Sequence, residues 1–97
     1  MSKMLPANAL LARSPDAIGT EISAHTVLLH SVRWTYLELN FVGQAIWRLL
    51  ETPRELSSII AQLIADFRVD EPTCRHDVLV FLNELSAKEY ISVIDSP

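Results

Sequence analysis

The chain has 97 residues, of which 49% are hydrophobic, and its eight basic and twelve acidic side chains give a net charge of −4. This length and composition predict one domain with a real apolar core. The acidic balance argues against a general phosphate-binding surface, so no nucleic-acid partner is expected.

The N-terminal apolar stretch is broken by Pro6, Asn8 and Arg13, which makes it a poor signal peptide. The longest apolar runs are far shorter than a membrane span, so no membrane association is expected. A single cysteine, Cys74, permits no intramolecular disulfide and favours a reducing compartment. These features predict a cytoplasmic protein.

Residues 1–16 contain Pro6, Pro15 and scattered leucines, a pattern that predicts a flexible N-terminal arm. Residues 17–97 are predicted to form the folded domain. Its first part is β-like, because Ile18, Thr20 and Ile22 alternate with other residues and His25–His30 is a short apolar run. A third strand is predicted over Arg33–Leu39, which would complete an antiparallel meander.

Helical periodicity begins directly after this third strand. Asn40 is a preferred N-cap residue, and the first helix is predicted to end near Glu51. Thr52, Pro53 and Glu55 then resemble a capping box with proline at the first helical position, which predicts a second helix starting there.

A third helix is predicted from the start signal at Asp70–Thr73 to about Ala87. Tyr90–Ile94 follows as either a last strand or a packed end. The predicted fold class is therefore α+β, with a three-stranded antiparallel sheet followed by three helices, like a winged helix-turn-helix.

No arrangement of catalytic or metal-binding residues is found in the sequence. The three histidines, His25, His30 and His76, have no cysteine or carboxylate at metal-ligand spacing. Cys74 and His76 would face different directions on one helix, so they do not form a nucleophile and base. The two glycines belong to no phosphate-binding motif. We therefore expect no enzyme activity, no metal and no cofactor.

Trp34, Tyr36 and Glu38 share the face of the third strand opposite Leu37 and Leu39. This pattern is compatible with ordinary surface packing or with a groove for an extended peptide, in which aromatic residues often dominate binding. On the third helix, a flank at spacings of three and four would adjoin that groove. The flank consists of Asp77, Phe81, Glu84 and Lys88. Apart from Phe81, a solvated helix face would look the same.

In the order and spacing of these elements, the chain resembles the PqqD-like RiPP recognition element, a small winged-helix domain. The matching segments cover about residues 17–94: the strand leading to Leu39-Asn40, Ile46–Leu50, Glu55–Ile60, and the Asp77–Leu85 part of the third helix. Lys88–Tyr90 stands where members often have a glycine, and the Pro-Glu element before the first helix is missing. The stand-alone leader-binding proteins of lasso-peptide biosynthesis are the most similar group.

This resemblance implies that a precursor leader peptide adds as an antiparallel strand to the third strand and lies against the third helix. The implied peptide-binding residues are Arg33, Trp34, Tyr36, Glu38, Asp77, Phe81 and Glu84. The resemblance also implies a non-enzymatic role, with the leader presented to a separate cysteine-protease-like leader peptidase and a cyclase acting next. The same strand edge could also pair with itself in a homodimer.

Two other functions remain open at the level of sequence. One is a winged-helix DNA-binding transcriptional regulator, although residues 74–88 with the adjoining Glu89 contain two basic residues against three acidic ones, a poor recognition helix. The other is a subunit that stabilises an enzyme without touching its substrate.

Overall fold

The computed structural model describes residues 8–22 and 25–94. Its strands are β1 (Leu10–Arg13), β2 (Ala17–Ile22), β3 (His25–His30), β4 (Tyr36–Leu39), β5 (Arg54–Glu55) and β6 (Ile91–Ile94). Its helices are α1 (Phe41–Leu49), α2 (Leu56–Phe67) and α3 (Glu71–Ala87). The predicted α+β class, with a three-stranded antiparallel sheet and three helices, is confirmed. In the described part of the chain, no helix is both long and apolar enough to span a bilayer.

The predicted meander forms one sheet in the order β2–β3–β4. Its third strand begins at Tyr36 rather than at Arg33, so the predicted strand was too long at its start. The reason is a turn at Ser31–Thr35, closed by a hydrogen bond from His30 N to Thr35 O of 2.9 Å. Within the turn, Trp34 has φ 57°, a left-handed value that interrupts an extended strand.

A second antiparallel sheet joins three distant segments in the order β5–β1–β6. The predicted flexible arm is therefore wrong for residues 9–13, because β1 pairs on both sides and Leu11 is 0% exposed. The apolar side chain of Leu11 becomes buried only through these long-range pairings. Residues 1–7 of the predicted arm lie outside the described residues, as do residues 95–97.

Two of the three predicted helix starts are confirmed by their side-chain caps. Asn40 Oδ1 accepts a hydrogen bond from Gly43 N at 2.8 Å, and Asp70 accepts one from Thr73 N at 3.1 Å. A hydrogen bond from the Thr73 side chain, together with this backbone bond, holds the pKa of Asp70 below its usual value.

The predicted capping box at Thr52–Glu55 is wrong, since α2 begins at Leu56 and Glu55 makes no side-chain capping bond. Residues 54–55 pair with β1 instead, and Leu56 N donates to Ala9 O at 3.0 Å. The first N–H of this helix thus finds its partner in the segment leading to β1 and not in a side-chain cap.

The C-terminus of α3 ends in a Schellman motif. Glu89 N donates to Ser86 O and Tyr90 N to Leu85 O, at 3.0 and 2.9 Å. Glu89 adopts φ 63°, the left-handed conformation that usually favours glycine. The missing family glycine therefore leaves the cap geometry intact, with a glutamate in the strained position.

We expect Glu89→Gly to be more stable than Glu89→Ala, with a free energy of unfolding about 1 kcal/mol higher. Only glycine adopts this left-handed conformation without a Cβ penalty. Both variants lose the exposed ion pair of Glu89, so their difference isolates the backbone term. Urea denaturation measures it, and an alanine variant as stable as the glycine variant would show that no strain is stored here.

The core lies between the two sheets and the helices. It is built from side chains of every element except β2 and β5: Leu11, Leu28, Leu39, Ile46, Leu50, Leu56, Ile59, Ile60, Leu63, Val78, Leu82, Leu85, Tyr90 and Ile91 are among its members. β4 and α3 are consequently held to one apolar interior, which fixes their relative positions.

Candidate functional site

The outer edge of β4 carries backbone groups that point away from the sheet. His30 N donates to Thr35 O, so these residues form a hydrogen-bonded pair. Bonded and non-bonded pairs alternate along an antiparallel ladder, so the N–H and C=O groups of Tyr36 and Glu38 face away from β3. No strand among residues 8–22 and 25–94 pairs with this edge. It can therefore accept one extended segment.

Helix α3 runs beside β4, in the opposite direction. At one end, Phe81 packs against α1 just after β4, since a Cβ on Gly43 would lie 3.1 Å from Cζ of Phe81. At the other end, Arg33 Nη1 lies 2.9 Å from Glu89 Oε1. These two contacts place α3 near both ends of β4, with the C-terminal end of the helix near the start of the strand.

The predicted flank of α3 has one half-buried member and several exposed ones. Phe81 is half-buried, whereas Asp77 and Glu84 are exposed one turn away on either side. Val80, which sequence reasoning passed over, lies next to both and is 58% exposed. This flank of α3 therefore presents two apolar side chains, Val80 and Phe81, between the carboxylates of Asp77 and Glu84 along the helix.

The remaining predicted contacts lie on the outer face of the meander. Trp34 is 88% exposed in the turn, and Tyr36 is 74% exposed at the start of β4. With Ile18 and Leu29, which pair in register with Tyr36, they line a hollow of about 240 Å³. Exposed aromatic side chains around an apolar hollow are typical of a contact surface.

Glu38 contacts His25 at the surface, with 3.4 Å between His25 Nδ1 and Glu38 Oε1. The structure therefore places the seven predicted contacts in two groups. Arg33, Trp34, Tyr36 and Glu38 lie along β4 and its preceding turn, and Asp77, Phe81 and Glu84 lie on α3. A wider hollow opens beside Glu38 at the end of β4, lined also by Asn40, Phe41 and Arg48.

Sequence reasoning missed the contacts that fasten the turn to the end of α3. Tyr90 is fully buried, its hydroxyl lies 3.1 Å from Thr35 Oγ1, and its ring meets that of His30 edge-on. Tyr90 was only part of an apolar tail in the sequence, and no local signal connects it with residues 30–35. These contacts hold the turn before β4 against the segment that follows α3.

The thiol of Cys74 does not have the environment of a nucleophile. Burial, together with the negative charges of Asp77 and Asp70, raises its pKa above the usual value. An activated cysteine needs the opposite shift. Within the described ranges, no three His, Cys, Asp or Glu side chains are placed to hold a metal ion.

Residues 25–91 match a protein family described as Coenzyme PQQ synthesis protein D (PqqD). This match spans β3 to the start of β6 and includes both β4 and α3, the two elements that carry the predicted contacts. The chain belongs to the PqqD family. The predicted resemblance is thereby confirmed.

Two solved structures share the PqqD-family fold of this chain. One, described as TbiB1 in complex with the TbiA(beta) leader peptide, has 33% sequence identity and a TM-score of 0.78, covering 88% of this chain and 99% of that one. The other, described as lasso peptide synthetase B1 complexed with the leader peptide, has 17% identity and a TM-score of 0.71, covering 84% and 96%. The second likeness concerns the fold alone. No curated protein matches this chain.

Proposed function

We propose that this chain binds the leader segment of a ribosomally made precursor peptide in lasso-peptide biosynthesis. The observation that carries this proposal is the 33% identity, over nearly the whole of both chains, with a protein solved in complex with a leader peptide. The unpaired edge of β4 supports the proposal, because such an edge is where a peptide would add as a further strand.

In this proposal the leader adds as an antiparallel strand to β4. The backbone groups of Tyr36 and Glu38 would give affinity that depends little on the leader sequence. Side chains of α3, of β4 and of the turn before β4 would give selectivity. Ordering a disordered leader costs about 2–5 kcal/mol. Apolar contacts of the leader with Trp34, Tyr36 and Phe81 would offset that cost. Arg33, Asp77 and Glu84 would meet polar or charged leader side chains.

The bound leader would then be presented, in the cytoplasm, to a separate cysteine-protease-like leader peptidase, with a cyclase acting afterwards. Binding raises the effective concentration of the precursor near these enzymes, so the chain itself needs no catalytic group, metal or cofactor. At high concentration and without leader, the same edge of β4 would pair with a second copy. The DNA-binding alternative is not favoured, because α3 has one arginine, Arg75, against three acidic residues, which makes a poor recognition helix.

The direct test is a fluorescence titration with a labelled peptide covering the leader of a candidate short precursor found near the gene. We call this peptide the leader probe. Saturable binding of the leader probe, with no binding of a scrambled peptide of the same composition, is expected. Equal binding of both peptides, or binding of neither, would overturn the proposed function.

We expect Tyr36→Ala and Phe81→Ala each to weaken binding of the leader probe about tenfold, since truncating a buried aromatic contact at an interface costs 1 kcal/mol or more. Val93→Ala, which removes an exposed apolar side chain from β6, is the matched control and should leave the affinity unchanged. Wild-type affinity in both aromatic variants would contradict the proposal that Tyr36 and Phe81 contact the leader.

A further inference from the structure

The turn that carries Trp34 is organised by one buried histidine. His30, the last residue of β3, is 4% exposed, and its Nδ1 accepts hydrogen bonds from Val32 N at 3.2 Å and Arg33 N at 3.1 Å. Accepting at Nδ1 requires a neutral ring whose proton is on Nε2. His30 therefore uses a side-chain acceptor to satisfy two backbone donors of the Ser31–Thr35 turn.

This pattern is the one that asparagine and aspartate form in Asx turns, where a side-chain oxygen accepts from backbone N–H groups a few residues ahead. Nδ1 of histidine stands the same number of bonds from Cα as Oδ1 of asparagine. The main chain of His30 also holds the turn at both ends, because its N–H donates to Thr35 O and its C=O accepts from Trp34 N, each at 2.9 Å.

The conformation that His30 supports is an unfavourable one for Trp34. A non-glycine residue at φ 57° is strained, and the indole gains little burial in return, because it is 88% exposed. The strain therefore has to be offset by the hydrogen bonds of the turn. They leave Trp34 beside Tyr36, at the point where a strand added to β4 would pass the turn.

We propose that His30 is a positioning residue for leader binding: its Nδ1 holds the Ser31–Thr35 turn in the form that presents Trp34 and aligns the start of the β4 edge. This inference rests on the proposed function. The side chain of His30 is almost fully buried in this arrangement. It acts through the turn, and its second contact, the edge-on packing against Tyr90 with ring centroids 5.8 Å apart, is separate from its acceptor role.

Two substitutions separate the acceptor from the ring. His30→Asn keeps an acceptor at the Nδ1 position but loses the ring that packs against Tyr90. His30→Phe keeps an aromatic ring, slightly larger than the imidazole, but has no acceptor. The measurements are the melting temperature, the affinity for the leader probe, and the backbone amide exchange rates of Val32 and Arg33 in the full chain without peptide.

We expect His30→Phe to bind the leader probe about fivefold more weakly, the equivalent of one net hydrogen bond. Amide exchange at Val32 and Arg33 should become about tenfold faster in that variant. His30→Asn should bind the probe within twofold of wild type and keep both amides protected, although its melting temperature falls further than that of His30→Phe. A merely structural role predicts the opposite order, with affinity following melting temperature.

Wild-type affinity and wild-type exchange rates in His30→Phe would overturn the inference, as would a loss of affinity in His30→Asn that equals or exceeds that of His30→Phe. If the wild-type chain fails to bind the leader probe, the proposed function is overturned instead. The exchange rates of Val32 and Arg33 then still decide whether His30 organises the turn.

Discussion

Glu38→Pro is expected to weaken binding of the leader probe by about 30-fold or more. The N–H of Glu38 points away from β3, so proline removes no hydrogen bond within the sheet. It does remove a donor from the open edge, leaves a carbonyl of the added strand unpaired, and places a ring where that strand would lie. Losing the bond and orphaning its partner together cost about 2–3 kcal/mol.

Glu38→Ala is the matched control, because it removes the same side chain and its exposed contact with His25 while keeping the backbone N–H. We expect it to bind within threefold of wild type, since polar contacts between exposed side chains contribute little. Titration of both variants, with circular dichroism to confirm their fold, separates backbone from side-chain recognition. Equal affinities for Glu38→Pro and Glu38→Ala would show that no strand is added at this edge.

Leu11→Ala is expected to lower the free energy of unfolding by about 3 kcal/mol. Leu11 is 0% exposed and belongs to the central strand of the second sheet, so truncation leaves a cavity among side chains that cannot fully close it. For a domain of this size, such a loss is a large part of the total stability. Chemical denaturation with urea measures it directly.

Leu10→Ala, at the neighbouring position of the same strand, is the control. Leu10 points to the other face of β1 and is only half-buried, so its truncation should cost less than half as much. This comparison tests whether the N-terminal segment is part of the fold. Equal and small decreases in the free energy of unfolding of both variants would show that the N-terminal segment is only loosely attached.

Local signals in the sequence predicted the helix starts that depend on a single side chain. Asn40 and Asp70 both accept from a backbone N–H three residues ahead, so the information lies within four residues. The signal at Thr52–Glu55 failed because its backbone is paired with β1, more than forty residues earlier in the chain. A capping pattern carries no information about such a partner.

The candidate peptide site, made of β4, the turn before it and one flank of α3, was predictable only in part. Alternation along residues 34–39 placed Tyr36 and Glu38 on one face, and helical spacing grouped Asp77 with Phe81 and Glu84. The turn was missed because the left-handed conformation of Trp34 depends on bonds to His30 that no local pattern indicates. The contact of Tyr90 with Thr35 joins residues 55 apart, and only the folded chain brings them together.

The most direct test of strand addition is amide hydrogen exchange at the two edges of the meander, with and without the leader probe. The account predicts that the N–H groups of Tyr36 and Glu38 exchange much more slowly when the probe is bound. Gly19 and Glu21, whose N–H groups face the opposite open edge on β2, should exchange at unchanged rates. Saturable binding of the probe with unchanged exchange at both Tyr36 and Glu38 would contradict the account.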